Sequence, residues 1–152
     1  MLQGDLPALL AMSFRAIMDQ IHGQLAADGF TDVRPAHGFA FHFLSHRSGA
    51  TAVELGEHLG MTKQAAVQLV DELEKRGYVE RTPHPTDRRS RLITLSPRGW
   101  QCVERVIALS RKTEDHWAEL VGVDRLTKLR EDLVTFLGDA SREQTVTLRP
   151  VW

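Results

Sequence analysis

A mainly α-helical domain, with one β-hairpin between its fourth and fifth helices, is what these 152 residues predict. Three observations carry it. Apolar residues recur at three- and four-residue steps through most of the chain. Thr51-x-x-Glu54 and Ser96-Pro97 are helix-start signals. Residues 78–81 and 91–95 are short β-prone runs on either side of a stretch, 82–90, that holds two prolines and no other apolar residue.

The elements follow in order. Asp5 can cap a first helix in which Leu6, Leu10, Phe14, Ile17 and Ile21 share a face, ending near Gly29. Arg34-Pro35 opens a second, because the fixed φ of proline suits a first helical turn. Its apolar stripe is Ala36, Phe39, Ala40 and Phe43, and Gly49 is expected to close it. In the Thr51/Glu54 capping box each side chain can satisfy the other's free backbone donor. The short third helix buries Ala52, Leu55, Gly56 and Leu59 and stops at Gly60. Thr62 caps a fourth, with Ala66, Leu69, Val70 and Leu73 inward and Gly77 at its end. After the hairpin, Ser96 as cap and Pro97 behind it start a long helix past Trp100, Val103, Ile107 and Trp117 to Gly122. A sixth, from about Asp124, carries Leu126, Leu129, Leu133, Phe136 and Leu137 inward, and 145–152 has no usable period.

Two short helices joined by a Gly-containing turn and followed by a hairpin make a winged helix-turn-helix. It occupies residues 35–98, with flanking helices over 5–30 and 99–140, in one domain of residues 1–152. The first and last helices carry more apolar surface than one small winged domain can cover. A second copy of the chain is expected to cover it, giving a homodimer.

Hydrophobic residues at 42% and charged residues at 26% are ordinary for a soluble globular protein. No apolar run is long enough to span a membrane. No basic lead precedes the first apolar stretch, which carries acid, so a secretory signal is not expected. One cysteine excludes an intramolecular disulfide and suits a cytoplasmic protein. The net charge of −1 hides a gradient: −3 over residues 1–59, +3 over 60–100 and −1 over 101–152. Five arginines fall within 81–98, against the single acid Asp87. Positive charge gathered in one short stretch is what a local phosphate contact needs.

On the fourth helix Gln64, Gln68, Asp71 and Lys75 lie opposite the apolar stripe. Glutamine can pair bidentately with N6 and N7 of adenine in the major groove. Thr62 and Lys63 sit where free N–H groups and the helix dipole favour a phosphate. Asp71 is like-charged with DNA and is expected off the groove floor. In the hairpin loop Asp87 is expected to hold one arginine by a bidentate pair and so aim the other. Arg88, Arg89 and Arg91 supply the positive charge, and an arginine at a loop tip suits the narrow, negative minor groove.

The string Gly60-Met61-Thr62 through Val67–Val79, then Asp87-Arg88-Arg89-Ser90, then Leu95-Ser96-Pro97-Arg98-Gly99, resembles the MarR (multiple antibiotic resistance regulator) family over about residues 35–100. That family's wing pattern Asp-x-Arg falls on Asp87 and Arg89. The resemblance implies an obligate homodimer built from the terminal helices, a recognition helix in the major groove and a wing arginine in the minor groove. It also implies a transcription regulator, a repressor in this reading, released by a small aromatic ligand. Zinc- or oxidant-responsive regulators of the same fold are the alternative within the family. A two-fold dimer presents two copies of one reading head, so its operator is expected to be an inverted repeat.

Other constellations are weaker. His42 and His46, at i and i+4, could share a metal ion, but His37 projects about 140° away on the same helix. A third ligand would have to come from elsewhere, such as His116 or a carboxylate, and neither metal nor cofactor is expected. Cys102 reads as a buried, inert thiol. Phe14, Met18, Phe39, Phe43 and Trp100 are candidates for a ligand pocket between the terminal helices and the winged module. There is no paired-carboxylate arrangement, Gly-rich phosphate loop or nucleophile elbow, so no enzyme is expected. The second class of function compatible with the sequence is a winged-helix protein–protein module that turns its hairpin on an acidic partner.

Overall fold

The computed structural model describes residues 4–148. Its elements are α1 (Leu6–Ala27), α2 (Pro35–Ser45), α3 (Ala52–Leu59), α4 (Lys63–Lys75), β1 (Val79–Pro83), β2 (Arg91–Leu95), α5 (Pro97–Val121) and α6 (Val123–Ala140). This is the expected order, with the hairpin in the expected place. No helix among the described residues is long and apolar enough to cross a membrane.

The helix starts are set by side chains. Asp5 accepts the Ala8 N–H at 3.0 Å. Thr51 accepts the Glu54 N–H at 3.2 Å while the Glu54 carboxylate takes the Thr51 N–H at 2.8 Å. Thr62 accepts the Ala65 N–H at 3.1 Å, and Ser96 that of Gly99 at 3.1 Å. Each satisfies a donor that the first helical turn leaves open. Gly60, at φ +69°, takes the left-handed conformation that turns α3 into α4.

Two boundaries differ from expectation. α2 ends at Ser45, four residues before Gly49. Gly49 at φ +147° instead delivers Ala50 to the hairpin, where it exchanges backbone hydrogen bonds with Ile93 at 3.1 and 2.7 Å. β1 starts at Val79, one residue later than expected, and extends two residues further: Thr82 pairs with Leu92 and Pro83 with Arg91. Proline is tolerated there because the strand is ending and needs no further donor.

α2 packs against α3, β2 and α5 at once. It therefore buries His37, Phe41 and Leu44 as well as Phe39, Ala40 and Phe43, while Ala36 is only half-buried. A one-stripe reading suits a helix with a solvent face, and α2 has almost none. Cys102 is fully buried, and burial pushes its thiol up to about 11.

α5 leaves the hairpin through a close backbone approach. The Ser96 N–H donates to the Tyr78 carbonyl at 3.0 Å, and a Cβ on Gly99 would overlap that same oxygen. Gly99→Ala should therefore cost about 1–3 kcal/mol, as overpacking does, read as a lowered midpoint of thermal or urea unfolding. An unchanged midpoint would show that the contact relaxes freely.

At the ends of the chain the apolar residues lie open. No residue of α6 is buried, with Val134 65% and Phe136 67% exposed. On α1, Ile21 and Leu25 are buried while Leu6, Leu10 and Phe14 are exposed.

Candidate nucleic-acid interface

With Ala66, Leu69, Val70 and Leu73 turned into the core, the opposite face of α4 is fixed. Gln64, Gln68, Asp71 and Lys75 are all exposed there, and Thr62 and Lys63 are exposed at its start.

The wing, residues 83–91, is held by its own side chains. The His84 Nδ1 accepts the N–H groups of Thr86 and Asp87 at 3.2 and 3.1 Å. Asp87 accepts the Arg89 N–H at 2.9 Å and the Ser90 hydroxyl at 3.0 Å. The expected Asp87–arginine pair is not formed. The carboxylate lies two residues before Arg89 and closes on the nearer backbone donor, as Asp commonly does in turns. These two hydrogen bonds, the backbone one foremost, hold the Asp87 carboxyl below the usual range. Arg89 is thus aimed through its backbone. Arg88, Arg89 and Arg91 are exposed, and none makes an ion pair among the described residues.

The other two arginines of the cluster are engaged by partners within the chain, Arg81 half-buried and Arg98 still exposed. Arg98 donates to the Tyr78 hydroxyl at 3.1 Å and lies over the Tyr78 and Phe30 rings. Arg81 reaches back to α4 and pairs with Asp71 and Glu74. Beside them, one nitrogen of Arg34, Nη2, donates to both carboxylate oxygens of Glu72 at 2.8 and 2.9 Å, and Arg76 forms an ion pair with the same carboxylate at 2.5 Å. The Tyr78 hydroxyl donates to Asp32 at 2.6 Å, and burial together with that bond pushes it up to about 12. α4 is thereby tied to the segment before α2 and to β1, and Tyr78 behind it to the start of α5. Sequence reading missed these ties. They join residues up to 46 positions apart, for which a single chain carries no local signal; only the turn role of His84 was within reach.

His37 is fully buried where α2 meets α4, its Nδ1 accepting the Arg34 N–H at 3.0 Å. A ring accepting at Nδ1 carries its proton on Nε2, which lies 3.6 Å from Glu72. Burial holds this imidazole below its ordinary pKa against the pull of Glu72, and burial lowers His22 and His42 too. The unfolded chain takes up these protons near pH 6.5 while the fold resists them, so stability present above about pH 6.5 is lost below it. The urea midpoint should be lower at about pH 5.5 than at about pH 7.5. His37→Gln should flatten part of that difference; equal wild-type midpoints would contradict the assignment.

Of the candidate ligand-pocket residues Phe14 and Phe39 are brought into contact, while Trp100 lines a different cleft. Phe39 and Phe43 are core residues; Phe39 stacks on Phe14 with centroids 6.3 Å apart, and Phe43 on His58 at 4.3 Å. Met18 is half-buried on α1. Trp100 instead lines a cleft of about 400 Å³ between α2 and α5, with Phe41, Val103, Val106 and Ile107 as its apolar wall and His42, Ser45 and His46 on its polar side. The His42 and His46 rings are 4.8 Å apart, edge to face. Among the described residues no three His, Cys, Asp or Glu side chains are placed to hold a metal. His116 lies 3.4 Å from Glu119.

A helix-turn-helix whose second helix presents a polar face beside a cationic hairpin defines a winged-helix protein of the DNA-reading type. The MarR family model matches residues 31–90. A protein of Thauera aromatica, described as a transcriptional regulator for the hcr operon, is 28% identical over 85 residues, 55% of this chain and 51% of that protein. The chain thus spans about half the length of that relative. The repressor CouR, solved on a 23-mer DNA duplex, is 27% identical with a TM-score of 0.69, covering 87% of this chain and 92% of that one. Apo MarR of E. coli superposes with a TM-score of 0.71 at 23% identity, over 88% and 98% of the two chains. The chain has the winged-helix fold of these structures, and its residues 31–90 are similar to the MarR family.

Proposed function

We propose that the chain is a sequence-specific, double-stranded-DNA-binding transcription regulator acting as a homodimer, a repressor released by a small aromatic anion. One juxtaposition carries this reading: exposed Gln64 and Gln68 on a capped helix, beside a wing whose Arg88, Arg89 and Arg91 have no ion-pair partner among the described residues. The glutamines suit base edges, and the unpaired guanidinium groups suit phosphates and a narrow minor groove. Open apolar faces on α1 and α6 suit a second copy of the chain. The α2–α5 cleft suits a planar ring between Phe41 and Trp100, with His42, Ser45 and His46 near enough to receive an anionic substituent. It takes the place of the pocket read from the sequence.

Footprinting on the DNA flanking the gene tests the reading. Protection of an inverted repeat with half-site centres about 10 bp apart is expected; direct repeats or a lone asymmetric site would contradict it. Phenolic carboxylates should then lower operator affinity. If they do nothing while zinc or peroxide releases the DNA, the effector assignment is wrong and the metal- or oxidant-responsive alternative holds.

A further inference from the structure

Arg81 lies on β1 opposite Ile93 of β2, and its guanidinium forks onto α4: one nitrogen is 2.5 Å from Asp71 Oδ1, the other 2.7 Å from Glu74 Oε1. Its side chain is 25% exposed, against 61% for that of Asp71. Asp71 continues the stripe of Gln64 and Gln68 one turn further along the helix. Outward of Val79 and Ile93 no hairpin side chain is buried. Two-stranded hairpins are marginal by themselves, so the direction of this wing depends on what grips it near its base. Arg81 is the hairpin residue that grips α4, and both arms of its fork are already engaged.

We propose that Arg81 is a positioning residue for DNA binding. By clamping β1 to two carboxylates of α4, it sets the angle between recognition helix and wing, so that Gln64 and Gln68 meet the bases while Arg88 and Arg89 meet the backbone. This rests on the DNA-binding reading above, and it makes a prediction opposite to simple charge counting. Removing two negative charges from a DNA-facing surface should tighten binding if charge were all that mattered. The clamp requires that it weaken.

The test is a thermodynamic cycle on the full-length protein and its footprinted operator, read by fluorescence anisotropy over a range of salt. Arg81→Ala, and separately the near-isosteric pair Asp71→Asn with Glu74→Gln, should each raise Kd roughly five- to tenfold, the size expected when a small charged network is lost. The triple variant should bind no more weakly than Arg81→Ala alone. The salt slope should stay at its wild-type value throughout. Amide hydrogen exchange without DNA should be faster across the wing in both variants, with thermal melts confirming that each is folded. The clamp is overturned if the Asn/Gln pair binds as tightly as wild type or more tightly, or if the two losses add. It is also overturned if Arg81→Ala lowers the salt slope by about one unit, as loss of a direct phosphate contact would. If the wild-type protein binds no duplex, the DNA reading fails and wing exchange alone decides whether the clamp exists.

Discussion

Val134→Glu combined with Phe136→Glu should convert a dimer into monomers and lower operator affinity by about 10²–10⁴-fold, the avidity that linking two binding modules supplies. Both side chains are about two-thirds exposed in the single chain, at 65% and 67%, so neither supports the fold of the chain itself. Across an interface each is worth about 1.5–3 kcal/mol when buried. A carboxylate in the same place must be stripped of water without a partner. Wild-type protein at micromolar concentration should sediment at twice the 17.1 kDa chain mass, and the variant at or near that mass. One head then meets one half-site, and palindromic reading is lost. A variant that still sediments as a dimer, or a wild type that is monomeric, would place the interface elsewhere or abolish it.

The second large effect divides labour between helix and wing. Gln64→Ala or Gln68→Ala should lose discrimination at particular base pairs, about 1–3 kcal/mol for a good bidentate contact, and leave the salt dependence alone. Arg89→Ala should weaken binding to many sequences together and flatten the salt slope by about one unit. Asp87→Ala should act in the same direction more mildly: Arg89 keeps its charge, but its backbone N–H loses the carboxylate that fixes the turn. If Arg89→Ala were silent and Arg88→Ala abolished both affinity and slope, Arg88 would be the tip residue instead.

The elements of this fold are legible because their signals are local. Asp5, Thr51, Thr62 and Ser96 each cap within three residues, and every one makes the bond its position suggests. The inward face of α4 follows from one helical period. What the sequence leaves unreadable is non-local. α2 exceeds its apparent stripe because three elements pack on it, and the cleft beside it is assembled from residues 38–46 and 100–107. At the candidate interface, residue types along the exposed face of α4 and the wing could be read directly. The division of the five arginines could not, because Arg81 and Arg98 are engaged by partners in other parts of the chain while Arg88, Arg89 and Arg91 are left free of ion pairs among the described residues. Asp87 shows the limit within a single turn: the expected carboxylate–guanidinium pair and the observed carboxylate–backbone bond use the same residue, and chain geometry favours the shorter reach.

On the proposed reading this winged helix reads duplex DNA as a two-fold pair of heads. It is tested most directly by measuring the affinity of the full-length protein for its footprinted inverted repeat and for a scrambled duplex of equal length, at salt concentrations from about 50 to 200 mM. Log K should fall linearly with log salt at a slope of several units, and the repeat should be preferred by at least about 10³-fold. A flat salt response, or equal affinity for both duplexes, would contradict it.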